Sequence, residues 1–399
     1  MKVVIAPQAF KGGLSGLEAA AAIERGVLAA LPGAETVKVP VADGGDGTLD
    51  ALVTCTGGRM FTARVTGPLG EPIDAQWGAM GQGLESPAPC PARNGPKTAV
   101  IEMARASGLA LVPPRRRDPR LTTTYGTGEL IGEAIDRGYD KIIVGLGGSA
   151  TNDGGVGMAQ ALGVRFLDSN GRDLPFGGAS LVRLSRIDMS GLRMGLMGVT
   201  ITAATDVVNP LCGPTGASAV YGPQKGASRR TVDSLDAALE RFSRVVERSL
   251  GIDVKGVPRA GAAGGLGAGL IAFANARVES GVDLVCRVLG LSGFMKGADL
   301  VITGEGRADG STAYDKAPVG VARVAKASGV ETVVLVAGSL GRGYEELYRH
   351  GIDAVVPILN RPMSFEESLT RSRDLLAEAT ERTMRLLLAG SGLRTGGAA

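Results

Sequence analysis

The chain of 399 residues contains one histidine, His350. That excludes any metal site needing two or three imidazoles. A Ser-His-Asp or Cys-His mechanism would have to use His350 alone. Cysteine is nearly as scarce. Cys55, Cys90, Cys212 and Cys286 form no C-x-x-C pair, which excludes a zinc ribbon and a thioredoxin motif. They read as free thiols in a reducing compartment. Aromatics are 4% of the chain, too few for base-stacking platforms. Charge of one sign is absent, since 43 Lys+Arg against 40 Asp+Glu leave +3. A near-neutral chain gives no support for a nucleic-acid or membrane-surface partner. No apolar run approaches the length of about 18 residues that spans a membrane. The apolar stretch Val3-Val4-Ile5-Ala6 before Pro7 is too short for a secretory signal, so a cytoplasmic location is expected. Two ligand motifs are missing as well. No glycine directly precedes a lysine, which rules out the P-loop. Gly265, Gly267 and Gly269 approach G-x-G-x-x-G, but residue 270 is leucine and no strand precedes them, which disfavours a nicotinamide dehydrogenase.

What the chain has in excess is glycine, 62 residues of 399, or about 16% against a usual figure near 7%. No G-X-Y period exists, and apolar residues make up 44%. The glycines therefore belong to a folded protein, and their placement matters. The length favours two domains. Apolar runs repeatedly lead into glycine-rich turns and then helices. Lys2 to Ala6 precedes a helix starting near Ser15, where Ser15-Gly16-Leu17-Glu18 has the form of a capping box. Val37 to Val41, Lys141 to Val144, Asp299 to Ile302 and Thr332 to Val336 each run into a glycine loop. Near-continuous apolar strands indicate burial on both faces, the habit of parallel sheets under helices. The alternation predicts an α/β class, with ligands at the carboxyl ends of strands.

The pattern breaks between about residues 60 and 105. Phe61 to Val65 and Ile73 to Trp77 alternate around Gly67-Pro68-Leu69-Gly70, which predicts an antiparallel hairpin. Pro87, Pro89, Pro91 and Pro96 suggest an exposed excursion. Leu235, Leu239, Phe242, Val246 and Leu250 recur at helical spacing and predict a core-facing stripe. The last helix opens on a second capping-box sequence, Ser364-Phe365-Glu366-Glu367. The tail, residues 390–399, reads as disordered. The expected organisation is a discontinuous domain, 1–66 with 286–399, and a second domain inserted at 67–285.

Three loops concentrate the chemistry. Asp43-Gly44-Gly45-Asp46-Gly47-Thr48 combines two carboxylates, three glycines and an expected helix start. Glycine lets backbone amides approach a ligand, and a helix N-terminus favours an anion. The carboxylates would repel that anion unless a cation intervened, so the loop reads as a phosphate site with Mg2+. An acidic turn that merely caps its helix is the competing reading. Gly147-Gly148-Ser149-Ala150-Thr151-Asn152-Asp153-Gly154-Gly155 offers amides and hydroxyls for an oxyanion, with Asp153 for a metal or a hydroxyl; a capping turn competes. Thr303-Gly304-Glu305-Gly306-Arg307-Ala308-Asp309 adds Arg307, a bidentate partner for carboxylate or phosphate. An Arg307–Asp309 pair bracing a loop competes. Gly222-Pro223-Gln224-Lys225-Gly226 presents a lysine on a tight loop, and Asp206 stands at a strand end. Arg115, Arg116, Arg117 and Arg120 read as a solvated linker. Amides, a few cations and many carboxylates without an imidazole suit phosphoryl transfer, which is mostly positioning and charge neutralisation. The residues point to a Mg-nucleotide-dependent kinase or phosphatase acting on a small anion.

At these loops the chain resembles the type I family of bacterial glycerate kinases. The resemblance is carried by Ile5-Ala6-Pro7 with Phe10-Lys11, Pro40 to Gly45, Gly126 to Leu130, Gly147 to Gly155, Gly222 to Gly226, Gly261 to Gly265 and Thr303 to Arg307, in family order. It implies ATP-dependent phosphorylation of D-glycerate with Mg2+, with 2-phosphoglycerate favoured over the 3-phosphate. It also implies a flavodoxin-like parallel-sheet domain with a second, mixed α/β domain inserted, and an active site in the cleft between them. On this reading Asp43, Asp46, Lys11, Arg307 and Asp153 are catalytic candidates. Gly44, Gly45, Thr48, Gly147, Gly148, Ser149, Asn152, Lys225, Gly304, Glu305 and Lys316 line substrate or nucleotide. Asp43, Asp206 and Asp309 are the metal candidates. A homodimer is one assembly left open. The chain departs from the family at Gln8, where aspartate is usual, and at Asp46, where glutamate is usual. Ser311, Tyr314, Asp315 and Lys316 stand where the family usually reads Gln and then His-Gly-Lys. These departures keep two rivals in view, a kinase or phosphatase of another hydroxy acid and a non-catalytic nucleotide or metabolite binder.

Overall fold

The protein is described here as a computed structural model covering residues 1–81, 97–314 and 316–390. The expected proline-rich excursion, Cys90, Asp315 and the tail from 391 onward lie outside the described residues. In chain order the strands are β1 (Lys2–Pro7), β2 (Glu35–Lys38), β3 (Arg59–Thr66), β4 (Pro72–Ala79), β5 (Thr98–Glu102), β6 (Lys141–Gly145), β7 (Arg165–Leu167), β8 (Arg186–Asp188), β9 (Thr200–Thr205), β10 (Arg277–Ser280), β11 (Leu300–Ala308), β12 (Val333–Leu340) and β13 (Ala354–Pro357). The chain is α/β and divides into two units, Met1–Asp43 with Val285–Ala399, and Gly44–Leu284.

The discontinuous unit holds a five-stranded sheet in the order β13-β12-β11-β1-β2, every pair parallel. Val3, Ile5, Ile302, Val334 and Val336 are fully buried in it, as strands covered on both faces require. Each such side chain contributes about 1.5–3 kcal/mol of burial. Helix Gly16–Ala30 starts on the complete Ser15–Glu18 capping box and packs Ile23 and Val27 into this core. It lies against helix Ser372–Gly390 so closely that a Cβ on Gly26 would stand 2.4 Å from Ala377 O. The second expected box forms only half. Ser364 Oγ accepts from Glu367 N, while the Glu367 carboxylate pairs with Arg361 and Arg371.

Two expected loops prove to be strand. β11 continues through Gly304-Glu305-Gly306-Arg307, and β12 through Ala337-Gly338-Ser339. Glycine here is not turn punctuation. A Cβ on Gly338 would lie 2.3 Å from Gly306 O, and one on Gly304 would lie 3.2 Å from the Phe10 ring. The missing side chains let two strands and the Phe10 turn close together.

The continuous unit holds a six-stranded mixed sheet, β10-β9-β6-β5-β4-β3. β5, β6, β9 and β10 are parallel, and β3–β4 is the expected hairpin, with Arg64 opposite Asp74. Residue 66, the expected exit to the inserted domain, is the last residue of β3 and pairs with Pro72 across the hairpin. Trp77 is fully buried and stacks on Phe61 at 4.7 Å. Helix Arg229–Leu250 buries Leu235, Leu239, Phe242 and Val246 and half-buries Leu250, then stops at Gly251 in the left-handed region. No helix among the described residues is long and apolar enough to cross a membrane.

Candidate active site

In the discontinuous unit the site grows from the carboxyl ends of β1 and β11. Their register pairs Pro7 with Gly304, and Gln8 N then donates to Gly304 O at 2.8 Å. Gln8 Nε2 donates to Asp43 Oδ2 at 2.8 Å, with both residues buried. On β11, Glu305 is buried and accepts from Thr312 Oγ1 at 2.7 Å. Burial pushes its carboxyl up to about 7; Thr312 and Lys316 pull the other way, and the charges of Asp43 and Asp309 push it further up. Asp43 and Glu305 thus sense one another as a like-charge pair.

Around them the expected residues divide. Arg307 is exposed and its Nε pairs with Asp309 Oδ2 at 3.2 Å. Asp309 also accepts from Ser311 N and Oγ, and Lys316 Nζ donates to Ser311 Oγ at 2.8 Å. The loop-bracing Arg–Asp pair is therefore present. Lys11 is exposed on the Phe10–Leu14 turn, and its backbone N lies 3.3 Å from where a Cβ on Gly306 would stand. Tyr314 is exposed.

In the continuous unit three loops converge beyond β6 and β9. Gly147 N donates to Gly44 O at 3.0 Å. Gly44 has φ +92, and a Cβ there would lie 2.5 Å from Ala204 O. A Cβ on Gly147 would stand 2.4 Å from Gly45 Cα, and one on Gly148 would stand 3.0 Å from Asp46 Oδ1. Asp46 and Gly148 are exposed at this junction. Thr48 is not; it is buried and closes the turn through Oγ1 to Gly45 O at 2.7 Å. The helix beginning at Thr48 has part of its N-terminal demand met internally, since Leu49 N donates to Glu102 Oε1 at 2.8 Å. That carboxylate takes the place expected for a phosphate on this amide.

Asp153 also departs from expectation. It is buried, and its Oδ2 accepts from Thr124 N, Thr124 Oγ1 and Gly157 N while Oδ1 accepts from Gly155 N. Both oxygens are committed, so Asp153 braces the loop rather than reaching a substrate. Asn152 Nδ2 donates to Ser218 Oγ at 2.9 Å, whereas its buried Oδ1 has no partner among the described residues. Lys225, expected on display, is buried and donates to Ser149 Oγ and Thr151 O. Asp206 is half-buried near Tyr221, whose hydroxyl donates to Asn209 Oδ1 at 2.6 Å. Burial, then the Asp206 charge, pushes that phenol up to about 12.

Sequence reading missed Glu102, Tyr221 and Arg259. Arg259 Nη1 donates to Thr205 O at 2.9 Å and fixes the end of β9 beside Asp206. Arg259 and Ala263 are non-glycine residues with positive φ, 71° and 55°, and nothing local in the sequence announces that.

For a metal, no three His, Cys, Asp or Glu side chains gather among the described residues. A Mg2+ ion that travels with a nucleotide needs only one or two protein carboxylates, because water and phosphate oxygens fill its remaining positions. The buried Asp43 and Glu305 fit that demand. Asp309, held by Arg307 and Ser311, fits it less well.

The comparisons agree with this frame. The glycerate kinase family description matches residues 3–388. A glycerate 2-kinase of Escherichia coli strain K12 is 47% identical over 98% of this chain and 99% of its own. A glycerate kinase of Bacillus subtilis strain 168 is 48% identical over 96% of each. A crystal structure from Salmonella typhimurium LT2, provisionally assigned as glycerate kinase 2, superposes with TM-score 0.84 at 45% identity, covering 98% of this chain and 100% of that one. With the family matched over residues 3–388, the chain belongs to the glycerate kinase family.

Proposed function

We propose that this protein transfers the terminal phosphoryl group of ATP to the 2-hydroxyl of D-glycerate, forming 2-phosphoglycerate. The observation that carries the reading is the full-length match to a glycerate 2-kinase at 47% identity. Asp43 and Glu305 would hold Mg2+, which supplies neutralising charge to the phosphates when bound. Lys11, exposed on its turn, and Lys316 neutralise phosphate oxygens as point charges. The backbone of Gly147-Gly148-Ser149 receives the glycerate carboxylate. Arg307 is less suited to that task because Asp309 already engages it. Gly44, Gly45 and Asp46 shape the loop beside Gly147 and Gly148, and Asp46 is exposed there to orient an incoming hydroxyl.

A coupled assay of ADP release across small hydroxy acids, with and without Mg2+, tests the reading. Turnover that depends on glycerate and Mg2+ is expected. No glycerate-dependent ADP release at any Mg2+ level would defeat it. Phosphorus NMR of the product then separates the 2-phosphate from the 3-phosphate.

A further inference from the structure

Lys225 is the only buried lysine or arginine among the described residues. It ends a short 3-10 turn, Pro223–Lys225, and Gly226 follows at φ +98, packed on the backbone of Arg117. Its Nζ donates to Ser149 Oγ at 2.8 Å and to Thr151 O at 2.7 Å. Among the described residues no carboxylate bonds it. Asp153 acts only through its charge, since its oxygens are taken by Thr124, Gly155 and Gly157. Among the described residues, the other neighbours bring no compensating charge. Ser218 and Tyr221, on the preceding helix, are bonded to Asn152 and Asn209, and the Arg117 guanidinium donates to Val112 O.

A buried ammonium without an ion-pair partner is costly. Burial accordingly pushes Lys225 down to about 7, against the pull of Asp153. A lysine shifts its pKa readily when buried, and Lys225 is buried with its pKa lowered toward neutrality. Near neutral pH part of its population therefore carries a lone pair, and the 2.8 Å contact with Ser149 serves a proton moving in either direction. Ser149 is itself buried, but directly follows the exposed Gly148, so it stands between the loop surface and Lys225.

We infer that Ser149 and Lys225 form a proton relay for the acceptor hydroxyl, with Ser149 touching substrate and Lys225 acting through it. The inference rests on the proposed glycerate kinase activity and deepens it. As the glycerate O–H bond breaks, its proton passes to Ser149 Oγ and the serine proton passes to Lys225 Nζ. The freed oxygen forms the new bond to the terminal phosphorus of ATP. The bond from that phosphorus to the bridging oxygen breaks, and its electron pair leaves on ADP. Lys225 ends as an ammonium and returns its proton through Ser149 to solvent after product leaves.

The test is the pH dependence of kcat with glycerate and Mg-ATP. Wild type is expected to gain activity with rising pH along a limb centred near 7. Lys225→Met should lower kcat by about 10²–10⁴-fold and lose that limb, while the glycerate KM stays within about threefold. Lys225→Arg, permanently charged, should be as slow as the methionine variant, whereas a phosphate-neutralising lysine would be rescued by arginine. Ser149→Ala should match these losses, and the double variant should be no slower than the slower single one. Wild-type kcat and an unshifted limb in Lys225→Arg, or fully multiplicative losses in the double variant, would overturn the relay. Should the variants not fold, NMR titration of lysine side chains in the wild type decides. One lysine titrating near 7 supports the relay, and none below about 9 overturns it. A wild type that releases no ADP with glycerate defeats the proposed function itself. A wild type that turns over, with variants that keep the limb, defeats the relay alone.

Discussion

Gln8 Nε2 donates to Asp43 Oδ2 at 2.8 Å, and both side chains are buried. The amide holds one carboxylate oxygen in place and adds no charge beside Glu305. At position 8, where the resemblance leads one to expect aspartate, this chain has an amide donor, so Asp43 gains an orienting hydrogen bond there and not a second negative charge.

Asp43→Asn keeps the shape and a hydrogen-bonding oxygen for Gln8 but removes the charge. Turnover should fall by about 10²-fold or more, while the melting temperature moves by no more than about 2 °C. Wild-type activity in this variant would refute the assignment of Asp43.

Gln8→Asp sets a second carboxylate against Asp43. Two such groups at hydrogen-bonding distance cannot both ionise freely without a cation. Thermal melts in chelator should drop by the equivalent of about 1–3 kcal/mol, and Mg2+ should restore part of the loss. A melt that ignores both the substitution and Mg2+ would contradict the placement of the ion at this pair.

Asp153→Ala strands four donors in the interior. Urea unfolding should show a loss of at least about 3 kcal/mol. A loss below about 1 kcal/mol would mean that the brace is unimportant.

Lys225 also leaves a mark on stability. Burial lowers its pKa from the ordinary 10.5 to about 7 in the folded chain. Between those values the unfolded chain binds the extra proton, so stability rises with pH across that window. Below 7 both states are protonated and the cost of burial is present in full. Lys225→Met lacks the slope. Urea midpoints measured from about pH 7 to pH 9.5 should shift in favour of wild type relative to the variant; parallel curves would show that the lysine keeps its proton when buried.

Local pattern was enough to find β1, β6, the β3–β4 hairpin and helix Arg229–Leu250, because alternation, apolar runs and helical spacing are properties of neighbouring residues. Glycine misled at Gly304, Gly306 and Gly338. These positions sit inside paired strands, where their role is to let one backbone approach another, and that approach belongs to the fold rather than to the segment. Side-chain direction was equally hidden. Lys225 and Asp153 read as ligand groups because they stand in polar, glycine-rich loops, yet both turn inward. Gln8 read as a lost acid and proves to be the donor that positions Asp43, a role visible only once Pro7 is registered with Gly304. Gly44 reads as leaving room for a ligand, whereas in the structure the space beside it is taken by the backbone of Ala204.

The pairing of Val3 with Leu300 sets an order of events on the ribosome. The strands of the six-stranded sheet all lie within Gly44–Leu284, so they are complete while the last segment is still unmade. β1 must wait for β11, and at about 5–20 residues per second that delay is on the order of 15–60 s. Through it, Val3-Val4-Ile5 has only the short β2 as a neighbour in its sheet, an apolar strand open to chaperones or to aggregation. Asp43 and Glu305 come from the first and last segments of the chain. Their pocket is thus among the last features to form, and a nascent chain gains it only near the end of synthesis.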